Sequence, residues 1–392
     1  MLLLVALPGC LKSEPAQFRL NVVKMRQAGM VLDQDTPPEK VAERTQIVQE
    51  QQRDIATALE ALFGTPDQPF VLAQETGLDL KKIEMSAGPV WSDQAGAQHG
   101  LFRQHCAHCH GVTGDGLGPT AAILNPYPRD YRPGMYKFKS TERPEMPTHE
   151  DLLRILRDGV PGTAMPSFAL LPSAEVESLG EYVKYLTLRG QVELALIYKT
   201  QDLGEGEKLT LDRANLVDEV LLTEVAKWTS AQEKVVRPVD KPEMELAESI
   251  ARGRGFFYGK ADCKKCHGDS ALGDGQTNDW DDWNKPIEAA DVALGALPKR
   301  NAIPRNLRMG IYRGGRRPLD LYRRIHAGIN GVPMPSVVDL LSEDEKTQLS
   351  ADEQKRLQGE RVWNLVDYVR SLPYEAMNRP VRATTIVGQG NL

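Results

Sequence analysis

No uninterrupted run of 18 or more apolar residues occurs past residue 10. A spanning helix needs that length, so membrane attachment is expected only at the amino terminus. Positive charge is short too: 48 Lys and Arg stand against 54 Asp and Glu, for a formal net charge of −6. A general nucleic-acid-binding role, which needs a basic surface, does not fit this balance. Strand-like alternation of apolar and polar residues is largely missing, which leaves an all-α fold as the expectation. Disorder, collagen and coiled-coil architectures also fail, because 41% of the residues are hydrophobic and 33 Gly add to them. At 392 residues the chain is long enough for two or three domains.

Cysteine is scarce, five in all, and unevenly placed. Cys10 stands alone, while Cys106 with Cys109 and Cys263 with Cys266 form two C-x-x-C pairs, each followed at once by a histidine, His110 and His267. C-x-x-C-H is the pattern of covalent haem c attachment. One helical turn sets two thiols to meet the two vinyl groups on one porphyrin edge, and the adjacent imidazole turns onto the iron. Two haem c groups are therefore expected, bound through the four paired cysteines with His110 and His267 as iron ligands. Structural zinc is the competing reading, but zinc needs four protein ligands and each motif lacks a second Cys/His pair at suitable spacing. A thioredoxin-like redox pair would sit beside a βαβ pattern, and none surrounds these motifs.

The motifs belong to a longer repeat. LLRILRDGVPGTAM, ending at Met165, matches LYRRIHAGINGVPM, ending at Met334, with Gly159 over Gly328, Gly162 over Gly331 and a proline after each methionine. Pro128-Arg129-Asp130-Tyr131-Arg132 matches Pro304-Arg305-Asn306-Leu307-Arg308, each followed by Gly and Tyr at equal distance. His110 and Met165 lie 55 positions apart and His267 and Met334 lie 67 apart, so the second copy is 12 residues longer, an excess expected in the segment containing Trp280 and Trp283. Met165 and Met334 are the candidates for the second face of each iron. A lone methionine is more often core filler, but two at equivalent places, each in a glycine-rich loop before a proline, point to thioether ligation, which raises the reduction potential relative to a second histidine.

Residues 1–10, MLLLVALPGC, resemble a bacterial lipoprotein signal with Cys10 as the acylated residue. The run is short and has no basic segment ahead of it, which leaves open a start upstream of Met1 or an incidental apolar terminus. Residues 11–95 carry no haem motif; helical spacing through Val41, Ile47, Val48, Ile55, Leu59 and Leu62, ending near Gly64, predicts a spacer or docking helix. Residues 96–190 form one unit, 191–245 a charged helical connector, 246–375 a second unit and 376–392 a tail. Each unit opens with Gly and Phe before its cysteines (Gly100 and Phe102; Gly253, Gly255 and Phe256) and closes with an aromatic amphipathic stretch, EYVKYL or VWNLVDYVR. A terminal helix crossing an initial one at a small residue would close each core.

On CAHCHG, CKKCHG, GVPGTAMPSF and GINGVPMPS the chain resembles a tandem class I cytochrome c over 96–190 and 246–375. The resemblance implies a small helical bundle around each haem and a carrier of single electrons between respiratory partners, a redox donor and an acceptor, such as subunits of a quinol-oxidising or terminal oxidase complex. It also implies export, since such haem attachment occurs on the outer side of the bacterial membrane; a lipid on Cys10 would hold the protein at that membrane, on its periplasmic side. The long amino-terminal region and the connector depart from the simple family. A di-haem peroxidase, in which one haem opens for peroxide, is the alternative, although the two distal segments look alike. A redox or gas sensor is a third class, without a recognisable output module.

Arg129 and Arg305 are expected to bind haem propionates through bidentate guanidinium contacts, against the plain reading of surface arginines. Tyr136 and Tyr312 are expected near the haem edge. His105, His108, His149 and His326 are poorly placed as ligands, and His99 reads as a solvated helix residue. Between Lys299 and Arg324 stand nine basic residues and one acid, Asp320. That run is either a solvated face or one that steers an acidic partner or anchors propionates of the second haem.

Overall fold

Asn21 caps the first helix, α1 (Val22–Gln27), its side chain accepting from the Lys24 amide. The apolar spacing after Pro37-Pro38 then forms α2 (Val41–Phe63), which ends at Gly64 as the sequence predicts. The structure is a computed structural model and describes residues 15–32, 36–204, 207–275, 286–337 and 339–374; Cys10, Trp280, Trp283 and the 376–392 tail lie outside the described residues. Helix makes up 51% and strand 3%, so the fold is all-α.

Helix α2 is not a spacer. Its buried face, Ile55, Ala58, Leu59, Leu62 and Phe63, enters one core with Leu101, Phe102, Tyr182 and Tyr185 of the first unit, and the Tyr185 hydroxyl donates to the Phe63 carbonyl. Short helices α3 (Ala73–Thr76) and α4 (Leu80–Ser86) follow, then an antiparallel pair of two-residue strands, β1 (Trp91–Ser92) and β2 (Gln98–His99). His99 therefore lies in a strand, stacked on Trp91 with ring centroids 4.2 Å apart, rather than in a solvated helix. The haem-motif segment is α5 (Leu101–His105) and α6 (Ala107–His110), with Cys106 at the break between them. Helix α7 (His149–Asp158) begins with a capping box from Thr148 and Asp151.

The closing helix of the first unit, α8 (Ser173–Gln201), runs past residue 190. Beyond it a π-helical stretch, Ala214–Leu221, leads into α9 (Leu222–Thr229). Leu216, Val217, Val220, Leu221, Val225 and Trp228 return to the core of the first unit, so the stretch expected as a connector packs as part of that unit. The Trp228 indole N–H closes the arrangement by donating to Gln191 at 2.9 Å.

The second unit has a core of its own. Helix α10 (Leu246–Tyr258) leads to the second haem motif on α11 (Lys264–His267); α12 (Ala289–Ala293), α13 (Pro318–Ala327), α14 (Glu343–Gln348) and α15 (Ala351–Ser371) follow. As expected, the first and last helices cross at a glycine: a Cβ on Gly253 would lie 2.0 Å from the Asn364 carbonyl oxygen. Phe257, not Phe256, fills the core beside this crossing, its ring edge-on to Tyr368 at 5.2 Å. The first unit does not repeat this crossing, since its Gly100 presses against Pro89 instead. There α5 is only five residues long and α4 takes up the packing on α8.

Between His267 and Arg305 the second copy carries 19 more residues than the first does between His110 and Arg129, and between Arg305 and Met334 it carries 7 fewer than the first does between Arg129 and Met165, which leaves the net excess of 12. The described part of this insertion rests on the first unit. Buried Asp291 on α12 pairs with Arg26 at 2.6 Å, and Arg300 donates to the carbonyls of Leu124 and Ala122 while stacking on Tyr127. Part of the basic run is engaged within the molecule, where Arg308 donates to Ser270, Arg323 to Val236, and Arg324 to Arg313 and Gly315, while Lys299, Arg316 and Arg317 are exposed, Arg317 pairing with Asp320.

Candidate functional site

In each unit a single turn of helix carries both thiols and the imidazole. The His110 amide donates to the Cys106 carbonyl at 2.9 Å, and the His267 amide donates to the Cys263 carbonyl at 2.9 Å. Each histidine ring is then fixed by a carbonyl of the matched proline-arginine segment: His110 Nδ1 lies 2.9 Å from the Arg129 oxygen and His267 Nδ1 lies 3.1 Å from the Arg305 oxygen. A carbonyl only accepts, so Nδ1 carries the proton and Nε2 keeps its lone pair, the tautomer a metal ligand needs. Burial lowers the pKa of His110 to about 4, which leaves the imidazole neutral at neutral pH.

The methionine loops repeat as closely. Val160 N–H donates to Met165 O at 3.1 Å and Ile329 N–H to Met334 O at 3.0 Å; Phe168 N–H donates to Leu156 O at 2.9 Å and Val337 N–H to Ile325 O at 3.0 Å. Gly159 and Gly328 have φ of 65° and 74°, and a Cβ on either would strike the backbone after the following methionine within 2.7 Å, so only glycine serves at the turn into the loop.

In the first unit, Cys106, Cys109, His110, Arg129 and Met165 line a single cleft of about 1270 Å³, its open mouth included. Tyr127, Tyr131, Leu152, Leu156 and Phe168 supply apolar walls, and Tyr136 joins them, as expected for it. Tyr131 was not legible as a site residue because its counterpart in the repeat is Leu307; it stacks on the His110 ring at 4.8 Å. The cleft fits a large flat apolar group with two thioether attachments and one ligand on each face. Its donor set suits the rival readings less well. Burial pushes the Cys106 thiol up to about 12, whereas thiol–disulfide exchange needs an accessible thiolate. Among the described residues no group of three or more His, Cys, Asp and Glu is placed to hold a metal ion.

In the second unit Cys263, Cys266, His267 and Met334 are each half-buried, and burial pushes the Cys263 thiol up to about 12 as well. Arg305 does not lie on an open surface: its Nε is buried without a hydrogen-bond partner, and its guanidinium lies 3.0 Å from where a Cβ of Gly162 would be. A buried unpartnered N–H is costly, and an acceptor such as a propionate would satisfy it. Tyr312 is held in its own unit by the Val369 carbonyl at 2.9 Å. His149 pairs with Glu177, and His326 stacks on Tyr322.

Residues 93–183 match the family model described as cytochrome C oxidase, cbb3-type, subunit III. That segment is similar to a cytochrome c domain. It starts just after β1, runs into α8 and contains the first cysteine pair, His110 and Met165. A cytochrome c domain carries covalent haem c and transfers electrons, so the match supports haem electron transfer for residues 93–183. No curated protein matches the chain. Among solved structures, the chain is similar to one from the reducing HAO-like protein complex of Kuenenia stuttgartiensis, at 26% identity and a TM-score of 0.44, covering 70% of this chain and 94% of that one.

Proposed function

We propose that the protein is a di-haem c-type cytochrome that relays single electrons between a redox donor and an acceptor through two His/Met-ligated haems. The observation that carries this reading is the duplicated hydrogen-bond set: the same carbonyl orients each histidine and the same two amide bonds place each methionine loop. Bound there, haem iron supplies a one-electron couple whose potential a thioether ligand raises relative to a second histidine. The chain supplies the rest. Cys106, Cys109, Cys263 and Cys266 hold the two groups by thioether bonds, His110 and His267 present Nε2, and Met165 and Met334 close the opposite faces. Arg129 and Arg305 fix the histidines through their carbonyls, and Arg305 Nε offers a donor to a propionate. Because the two methionine loops are pinned alike, Met165 and Met334 would each be placed to hold a haem iron opposite its histidine, and this favours a carrier over a peroxidase in which one iron opens. Export to the periplasmic side of a bacterial membrane, a lipid on Cys10, and partners from a quinol-oxidising or terminal oxidase complex belong to the same reading.

Haem count tests it. Protein produced with a haem-attachment system should hold two covalent haems per chain by pyridine haemochrome absorbance and intact mass, and Cys263→Ala with Cys266→Ala should hold one. A single haem in the parent chain, or an unchanged count in the double variant, would contradict the proposal.

A further inference from the structure

The two methionine loops share their outer amide bonds and differ just before the ligand. In the first, the Thr163 hydroxyl donates to the Val160 carbonyl at 2.8 Å and accepts from the Met165 amide at 3.1 Å, so one side chain ties both ends of the turn. The repeat puts Val332 at the matching position, two residues before Met334. A valine side chain has neither donor nor acceptor, and Pro333 between it and the methionine has no N–H. The Met334 amide turns instead to the Val332 carbonyl, at 2.8 Å.

That same carbonyl accepts a second bond, from the other unit. Arg143 donates to it at 3.1 Å, and the segment carrying Arg143 is fixed beside it by the main chain. Thr141 and Val235 form an antiparallel bridge, the Glu142 amide donates to the Lys234 carbonyl at 3.1 Å, and the Val236 amide donates to the Ser140 carbonyl at 2.8 Å. Val236 belongs to the core of the second unit, and Arg323 of α13 donates to its carbonyl at 3.2 Å. Lys139 closes the turn, donating to the Thr141 hydroxyl at 3.0 Å and to the Glu142 carbonyl. The guanidinium is therefore delivered by a loop already fastened to the unit it reaches into.

We propose that Arg143 is a positioning residue for Met334: across the unit boundary it does for the second methionine loop what the Thr163 hydroxyl does within the first. This rests on the His/Met reading of the two sites. The Val332 carbonyl cannot swing away from the Met334 amide without also breaking a charge-assisted hydrogen bond to a fixed guanidinium. Met165 is thus held by its own unit, whereas Met334 is held partly by its neighbour. The two centres share a ligand set but differ in what secures it.

Imidazole, which competes with a thioether for ferric haem iron, tests this in the oxidised full chain carrying its haems. The methionine–iron band is recorded first without imidazole. A parent band worth less than two haems would refute the ligand reading itself, and this proposal with it. On a two-haem parent, Arg143→Met should lose half of the band at about tenfold lower imidazole, the worth of one hydrogen bond to a charged group, and keep the other half at the parent concentration. Arg143→Gln, too short to reach the same carbonyl, should do likewise if the methionine variant folds poorly. Thr163→Val should shift the other half, which assigns the two. Adding Val332→Thr to Arg143→Met should restore the parent concentration, since a hydroxyl there can span the Ile329 carbonyl and the Met334 amide as Thr163 spans its own turn. An unchanged titration in loaded Arg143→Met or Arg143→Gln, an equal shift of both halves, or no recovery on adding Val332→Thr would overturn the proposal.

Discussion

Two carbonyl oxygens, those of Arg129 and Arg305, decide the tautomer of the two candidate iron ligands. The sequence marks these arginines for their guanidinium groups, yet the contact they share across the repeat is made by the main chain. This explains why the segment can tolerate Asp130 and Tyr131 in one copy against Asn306 and Leu307 in the other: what must repeat is the path of the backbone. A comparable constraint operates at Gly253, where α10 and α15 touch. Gly253→Val would force two helices apart at a contact where a Cβ already lies 2.0 Å from a carbonyl. Overpacking of this kind costs about 1–3 kcal/mol. Thermal or denaturant unfolding of the second unit should shift accordingly, and an unchanged transition would show that the crossing is looser than described.

Among the elements, α2 changes role most between sequence and structure. Its helical spacing and its stop at Gly64 are legible locally, because periodicity records which face is apolar. What that face covers is a tertiary fact that no local pattern carries. It covers α8 and the aromatic cluster of Phe102, Tyr182 and Tyr185, so the extension packs as part of the first unit. Ile55, fully buried, tests this at the cost of a cavity. Ile55→Ala should destabilise the first unit by about 2–5 kcal/mol in chemical denaturation followed at its haem. A haem signal that unfolds at the parent denaturant concentration would return α2 to the status of a detached spacer.

Across the whole molecule, the repeated geometry is legible in the sequence because its spacings are fixed: two thiols and an imidazole on one turn, and a methionine after a glycine-rich bend. Domain contacts were not, since the basic run from Lys299 to Arg324 has the same composition whether it faces solvent or a neighbouring unit. In the structure it joins the units, through Arg300 on Tyr127, Arg305 beside Gly162 and Arg313 in the first cleft. Arg143 of the first unit answers by donating to Val332 in the second methionine loop at 3.1 Å. On the proposed reading, two like-ligated centres would suit passage of an electron through the chain better than chemistry at an open iron. The most direct check is the near-infrared spectrum of the fully oxidised, fully loaded protein, where a methionine–iron charge-transfer band reports thioether ligation haem by haem. That band is expected at the intensity of two haems, with no high-spin iron. A band worth one haem accompanied by a high-spin signal, or no band at all, would contradict it.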